Sequence, residues 1–138
     1  MTIDSIKSGI VIDHIRAGSS MTIYSLLGLD RLNCTIAIIK NVKSKKMGRK
    51  DIIKIDEAME IDLNILGFID PNITVNIIKE DRIAEKKHLK LPDRVTNVLK
   101  CNNPRCITTT EQGLNQVFRL TDREHKTYRC LYCDAERR

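Results

Sequence analysis

Four thiols carry the clearest chemistry in this chain. Cys101 and Cys106 stand close together in CNNPRC, Cys130 and Cys133 in CLYC, and 23 residues separate the two pairs. Each pair can form a tight knuckle whose sulfurs point the same way, and folding the intervening segment back on itself gathers them around one tetrahedral Zn2+. Four thiolates leave no open coordination position, so the metal would be structural rather than catalytic. Two disulfides or a redox Cys-x-x-Cys compete with that assignment. The N-terminal MTIDSIKSG has no apolar signal core and no run reaches the roughly 18 apolar residues of a membrane span, so the chain is expected to be cytoplasmic, where thiols stay reduced and metal is favoured. No strand-to-helix turn places Cys130 or Cys133 for redox attack. Cys34, in NCTIAIIK, is the odd thiol and reads as a buried strand residue.

The elements that position these thiols fall into two zones. Up to about Ile83 the chain is rich in Ile, Val and Leu with clear periodicity; after Leu91-Pro92-Asp93 it turns polar and full of Cys, Asn, Thr and Arg. In 138 residues that division predicts two small domains, 1–91 and 92–138. A tail of about 40 residues with so few large apolar side chains cannot bury enough surface to fold unaided, which is a reason for a metal. The net charge of +6 invites a polyanion. It is unevenly placed, with Lys43, Lys45, Lys46, Arg49 and Lys50 in one cluster and an acidic stretch from Asp51 to Asp70. Two Phe, three Tyr and no Trp leave little for stacking on bases, which weakens a single-strand nucleic-acid reading.

In the first zone GIVIDHI (9–15) reads as a strand. Ser19 or Ser20 caps a helix over MTIYSLLGL that ends among Gly28, Asp30 and Asn33. The β-branched CTIAIIKNV and the alternating KDIIKID then form a hairpin across the polar KSKKMGR. A second helix, built on Leu63, Ile65 and Leu66, starts near Glu57 or Asp62 and stops at Gly67. ITVNIIKED is a strand, and RIAEKKHLKL is either a further strand or an extended arm. The order βαββαβ predicts an α+β, ferredoxin-like domain: a four-stranded antiparallel sheet with both helices on one face, followed by a small β-rich four-cysteine zinc domain.

GIVIDHI, MGRKDIIKI, ITVNII, LPDRVTNVLKC with its following NNPRC, and the final YRCLYC resemble, in that order and over almost the whole chain, the regulatory chains of aspartate carbamoyltransferase. The resemblance implies a noncatalytic subunit. Such chains pair through the nucleotide-binding domain, and each zinc domain grips a catalytic chain, so that three regulatory dimers bridge two catalytic trimers in an assembly of six plus six chains. CTP, aided by UTP, would act as inhibitor and ATP as activator in pyrimidine biosynthesis, with no nucleic acid or membrane as partner.

Carried over by position, the resemblance points to Val11, Asp13 and His14 on the first strand, Lys54, Asn76, Ile78 and Lys86. Backbone groups near Ser5, Ile6 and Ile78 would read the base edge. Lys54 and Lys86 can give ammonium groups to phosphates and ribose, His14 can donate to phosphate, and Asp13 can accept from ribose hydroxyls. No Walker-type loop is present, since MGRKD lacks the glycine spacing, so a nucleotide here would be a signal and not a fuel. Without the resemblance each residue has a plainer role: His14 as a structural histidine, Lys54 as an ordinary outward strand residue, and Lys86, Lys87 and Lys90 as a solvated stretch. Asp81 stands where the family often has an aromatic residue, and Glu85 where it often has Gly before the position of Lys86. The arm before Ser5 is short, and the last strand of the zinc domain is expected to be short as well.

The alternative of another class is a stand-alone four-cysteine zinc-ribbon nucleic-acid-binding protein. It draws on a pI near 9.2 and on Arg105, Arg119, Arg123, Arg129, Arg137 and Arg138. An enzyme reading comes third, because no nucleophile and base stand out as a pair.

Overall fold

The structure, a computed structural model, describes residues 8–137. One unit ends at Lys90 and the second begins at Leu91. Among the described residues, no helix is long and apolar enough to cross a membrane.

In the first unit, alternating isoleucines build the sheet. Strands β1 (Gly9–Arg16), β2 (Ile36–Ser44), β3 (Gly48–Ile55), β4 (Thr74–Lys79) and β5 (Arg82–His88) pair antiparallel in the order β2-β3-β1-β4-β5. The first four give the expected βαββαβ topology. The sheet nevertheless has five strands, not four, because RIAEKKHLKL forms a strand and not an arm. Glu80 and Asp81 join it to β4 as a two-residue turn with both backbones left-handed (φ 50° and 63°), the geometry that suits a tight hairpin.

Ile10, Ile12, Ile15, Ile53, Ile55 and Val75 point to one face and are buried against Ile23 and Leu29 from the α1 side and Leu66 from α2. Each fully buried isoleucine contributes about 1.5–3 kcal/mol by leaving water. Helix α1 (Ser20–Leu26) follows Ser19 and ends into Gly28, whose φ of 66° lets the chain turn into a short 3-10 segment at Leu29–Arg31. Helix α2 (Leu63–Ile69) is capped by Asp62, whose Oδ1 accepts from the amides of Asn64 and Ile65 at 3.0 and 3.1 Å. It does not stop at Gly67 as the sequence reading had it. That glycine lies inside the helix because the Lys90 backbone crosses it, and a β-carbon there would overlap the Lys90 carbonyl. Gly67→Ala is therefore expected to destabilise the unit by about 1–3 kcal/mol in urea unfolding; an unchanged midpoint would mean that the segment at Lys90, just past β5, yields freely.

Two bulges shape the sheet near its charged end. Between Ile12 and Ile15 on β1, and between Ile39 and Val42 on β2, the two neighbours of β3 each carry one residue more than β3 opposite them. His14 (φ 59°) and Asn41 (φ 59°) are the left-handed residues of these bulges. Asp51 on β3 lies at the same level. It is fully buried and accepts from the amides of Asn41 (2.8 Å), Gly18 (3.1 Å) and Ser20 (3.3 Å). Burial alone would raise its carboxyl, but the Asn41 amide, with Ser20 and Gly18, holds it below the ordinary carboxylate value. One buried charge thus ties the β1-α1 turn to the bulge of the neighbouring strand.

The second unit is a four-stranded antiparallel sheet in the order β6-β7-β8-β9, made of β6 (Arg94–Thr96), β7 (Val117–Asp122), β8 (Thr127–Cys130) and the two-residue β9 (Glu136–Arg137), with one short helix, α3 (Ile107–Thr110). Its buried apolar side chains are few: Leu91, Val95, Phe118, Tyr128 and two of the cysteines. Tyr128 is 1 % exposed, and its hydroxyl donates to the Pro92 carbonyl at 2.7 Å, fixing the entry of the chain into this unit. A core that small cannot hold nearly 50 residues by burial alone.

Candidate metal centre and ligand face

The deficit is met by the cysteines. The segment between β6 and α3 brings Cys101 and Cys106 to one side, and the end of β8 with its following turn brings Cys130 and Cys133 to the other. All four Sγ atoms lie within 4.8 Å of one another. Cys101 Sγ is 3.5 Å from Cys133 Sγ, and Cys106 Sγ is 3.7 Å from Cys130 Sγ. These contacts run between the knuckles and are far longer than an S–S bond of about 2 Å. They fit the edges of a tetrahedron with metal–sulfur bonds of about 2.3 Å, whose edges are about 3.8 Å. The donor set therefore suits a tetrahedral, thiolate-binding cation.

The cradle is braced by polar side chains. The Cys101 amide donates to Gln116 Oε1 at 3.0 Å, and Gln116 Nε2 donates to the Thr108 carbonyl at 3.2 Å, so one glutamine holds both halves of the first knuckle. The Asn103 carbonyl accepts from the Cys106 amide at 3.1 Å and from the Thr109 hydroxyl at 2.8 Å. In the second knuckle Asp134, left-handed at φ 64°, donates its amide to the Cys130 carbonyl, and Cys130 donates back to the Ala135 carbonyl, each at 2.9 Å. The thiols are electrostatically unequal. A hydrogen bond from Thr108 brings Cys106 down to about 6, while burial pushes Cys101 up to about 12 and also raises Cys130. Four sulfurs this close cannot all ionise without a cation among them. Cys34 stands apart, half-buried just before β2 and not inside it; burial first, and then Glu57, raise its thiol.

The second candidate region is the sheet face opposite the helices in the first unit. Cross-strand pairing sets Lys54 beside Val11, Val11 beside Asn76, and Asn76 beside Lys86, so four strands contribute to one row. One step along, Asp13 pairs with Thr74 and Thr74 with His88; one step the other way, Gly9 pairs with Ile78. These positions alternate with the buried isoleucines and so share the open face. Asn76 Oδ1 is buried there and has no hydrogen-bond partner among the described residues. The ammonium groups of Lys54 and Lys86 have no carboxylate partner among the described residues.

At the charged end, Lys50 Nζ contacts Asp13 Oδ1 at 2.9 Å, with both side chains largely buried. Burial would raise Asp13, yet Lys50 and the His14 amide outweigh it and keep the carboxyl below the ordinary value. His14 Nδ1 lies 2.9 Å from Thr74 Oγ1. The bulge lets Asp13 and His14 both face outward between the buried Ile12 and Ile15. Ser5 and Ile6 lie outside the described residues. Of the two departures noted in the sequence, Asp81 sits in the β4-β5 turn, and Glu85 pairs with Ile77 and so faces the helix side rather than Lys86. The sequence groups Lys50 with Lys43, Lys45, Lys46 and Arg49 in one basic cluster and gives Asp51 no role. The alternation of Asp51 with Ile53 and Ile55 in KDIIKI was the signal for its burial.

Two family models cover the chain: "Aspartate carbamoyltransferase regulatory chain, allosteric domain" over residues 1–90, and "Aspartate carbamoyltransferase regulatory chain, metal binding domain" over residues 93–138. Curated aspartate carbamoyltransferase regulatory chains are similar to it throughout. That of Clostridium botulinum is 52% identical over 134 residues, covering 97% of this chain and 92% of the relative. That of Clostridium tetani is 50% identical, covering 97% and 94%, and that of Bifidobacterium longum 44%, covering 99% and 98%. With its α+β sheet unit, its clustered cysteines and this full-length similarity, the chain belongs to the family of aspartate carbamoyltransferase regulatory chains, noncatalytic subunits with an allosteric and a metal-binding domain.

Proposed function

We propose that residues 1–91 bind nucleoside triphosphates on the open face of the sheet, with CTP, UTP and ATP as effectors, and that residues 92–138 hold one structural Zn2+ and dock on catalytic chains. The observation that carries the nucleotide reading is the row Lys54, Val11, Asn76 and Lys86, in which, among the described residues, two ammonium groups have no carboxylate partner and a buried amide oxygen has no donor. An orphaned buried acceptor costs free energy unless a ligand supplies the donor, and the exocyclic amine of a base or a ribose hydroxyl would do so. The rows are graded. Ile78 and Val11 offer an apolar wall for a base, and the row with Lys50, Asp13 and His14 offers a charged end for phosphates. Strand rise puts successive rows roughly 7 Å apart, a spacing suited to the length of a nucleotide.

For the metal, a set of four thiolates at tetrahedral spacing favours Zn2+ among cytoplasmic cations. Bound there, the ion supplies cross-linking alone; Gln116, Asn103 and Thr108 hold the thiols in place around it. Three of the second unit's arginines are engaged internally, which weakens the nucleic-acid reading: Arg119 with Asp134 and Arg123 with Asp93, both at 2.8 Å, and Arg129 with the Asp134 carbonyl at 3.0 Å. Docking would place six regulatory chains against six catalytic chains, with nucleotides biasing the quaternary equilibrium by about 1–3 kcal/mol.

Effector titration of the assembled complex is the test. Lys54→Ala and Lys86→Ala are each expected to weaken CTP binding about 10-fold, by removing a charge-assisted phosphate or ribose contact, with zinc content unchanged. Unaltered titration curves in both variants would remove the open face from consideration.

A further inference from the structure

On the helix side of the first sheet, the row Ile53, Ile12 and Val75 ends on β5 at Lys87. Three buried aliphatic side chains are thus followed by an ammonium group. Its neighbours Lys86 and His88 face the other way, by strand alternation. Lys87 is half-buried, and among the described residues its ammonium group makes no hydrogen bond or ion pair.

Beside it lies a cavity of about 200 Å3. Ile10, Val75 and Ile77 of β1 and β4 form its floor, directly behind the positions of Val11 and Asn76 on the open face. The opposite wall is the irregular connection from β3 to α2, through Met59 and Ile61. That connection is pinned at its two ends, where the Asp56 amide donates to the Thr35 carbonyl at 2.9 Å and Asp62 caps α2. Among the described residues, no backbone hydrogen bond holds 57–61 between these points, so the wall can adjust around an occupant. Glu60 also lines the cavity; it is exposed and makes no ion pair among the described residues. An apolar interior is therefore bordered by one charge of each sign. Glu85, the other carboxylate on this side of β5, is exposed and does not line the cavity.

We propose that this cavity binds a free apolar α-amino acid, its side chain on the isoleucines, its carboxylate at Lys87 and its ammonium group at Glu60. A hydrocarbon would leave both charges unanswered, a plain carboxylate would meet Glu60, and a plain amine would meet Lys87. Only a zwitterion answers both, through charge-assisted hydrogen bonds. An apolar cavity of about 150 Å3 holds benzene, so a leucine side chain is within the size that fits here. The site is independent of the nucleotide reading, since it lies on the opposite face and shares no residue with the row of Lys54 and Lys86. A regulatory chain with such a site answers to an amino acid as a second class of effector.

Backbone amide NMR of the zinc-loaded full chain, titrated with leucine, N-acetylleucine and leucinamide, tests this. The last two ligands each keep one of leucine's charges. Leucine is expected to give saturable shifts at Ile10, Ile61 and Val75 in the millimolar range, and to bind about 10-fold tighter than either analogue. Lys87→Met, which keeps the apolar stem, should abolish the advantage of leucine over leucinamide. Glu60→Gln should abolish its advantage over N-acetylleucine. Absence of saturable shifts at these positions, or equal binding of the three ligands, would overturn the proposal. So would unchanged leucine affinity in Lys87→Met, which would leave that lysine as a charge that keeps foreign strands off the β5 edge.

Discussion

Cys106→Ala unfolds the unit from Leu91 onward and leaves the five-stranded sheet intact. Cys106 is 2 % exposed, lies 3.7 Å from Cys130 Sγ, and starts α3 as its capping residue, so alanine removes a ligand, a helix boundary and a buried contact together. With four apolar side chains other than cysteine buried in that unit, little else opposes the chain entropy of nearly 50 residues. Metal binding supplies about 10 kcal/mol or more in comparable small sites, and the loss of one thiolate of four forfeits most of it. Limited proteolysis is expected to cut the variant after Leu91 while sparing the first unit, bound metal should fall to near zero, and assembly with catalytic chains should fail. Cys34→Ala serves as the contrast and should keep full metal content. A Cys106→Ala protein that retained one metal per chain and resisted proteolysis would show that the four sulfurs do not act as one site.

The other large effect is expected at Asp51. Asp51→Ala strips the acceptor from three backbone amides at once, those of Asn41, Gly18 and Ser20, the Ser20 bond buried and the other two partly buried. A buried donor left without a partner costs about 1–3 kcal/mol and a partly buried one less, so a total loss of about 3 kcal/mol is expected in urea unfolding of the first unit. Asp51→Asn keeps the size but turns a nitrogen toward amide donors, and a smaller loss should follow. Acid gives an independent reading. The folded carboxyl is held below its unfolded value of about 3.9, so its contribution is fully present above that pH and disappears as pH falls through the lower folded value. Stability of the wild type should therefore drop on acidification below about pH 4, and Asp51→Asn should flatten part of that drop. Identical acid profiles would assign the loss to other carboxylates, with Asp13 the first to examine.

The two sites differ in how plainly the sequence announces them. The cysteine quartet is legible because the spacing of ligands within each knuckle is a local property, and the structure brings together the four thiols that the spacing singles out. The order of the first four strands is legible too, since their isoleucines alternate. Gly67 shows where local rules fail: a glycine near a helix end looks like a stop, and only the path of Lys90 in space reveals that it makes room for a backbone. RIAEKKHLKL was ambiguous because a strand exposed along nearly its whole length has no buried face to impose alternation. The row on the open face depends on register, which β1, β3, β4 and β5 fix only by pairing, and the bulges at His14 and Asn41 shift that register in ways that composition does not record. Asp51 was hidden by its type, for an acidic residue in an acidic stretch looks solvated until its strand parity is counted.

The hydrogen bond from Tyr128 to Pro92 has a practical consequence. The chain has no tryptophan and three tyrosines, and Tyr128 is a fully enclosed phenol two residues before Cys130. Burial pushes that phenol above its ordinary value. When the cysteines release their ion, the ring enters water and its carbonyl acceptor is lost, so near-ultraviolet dichroism and alkaline difference absorbance report directly on the state of this half of the molecule. The protein carries its own optical gauge of metal occupancy, and no dye or inserted label is needed to read it.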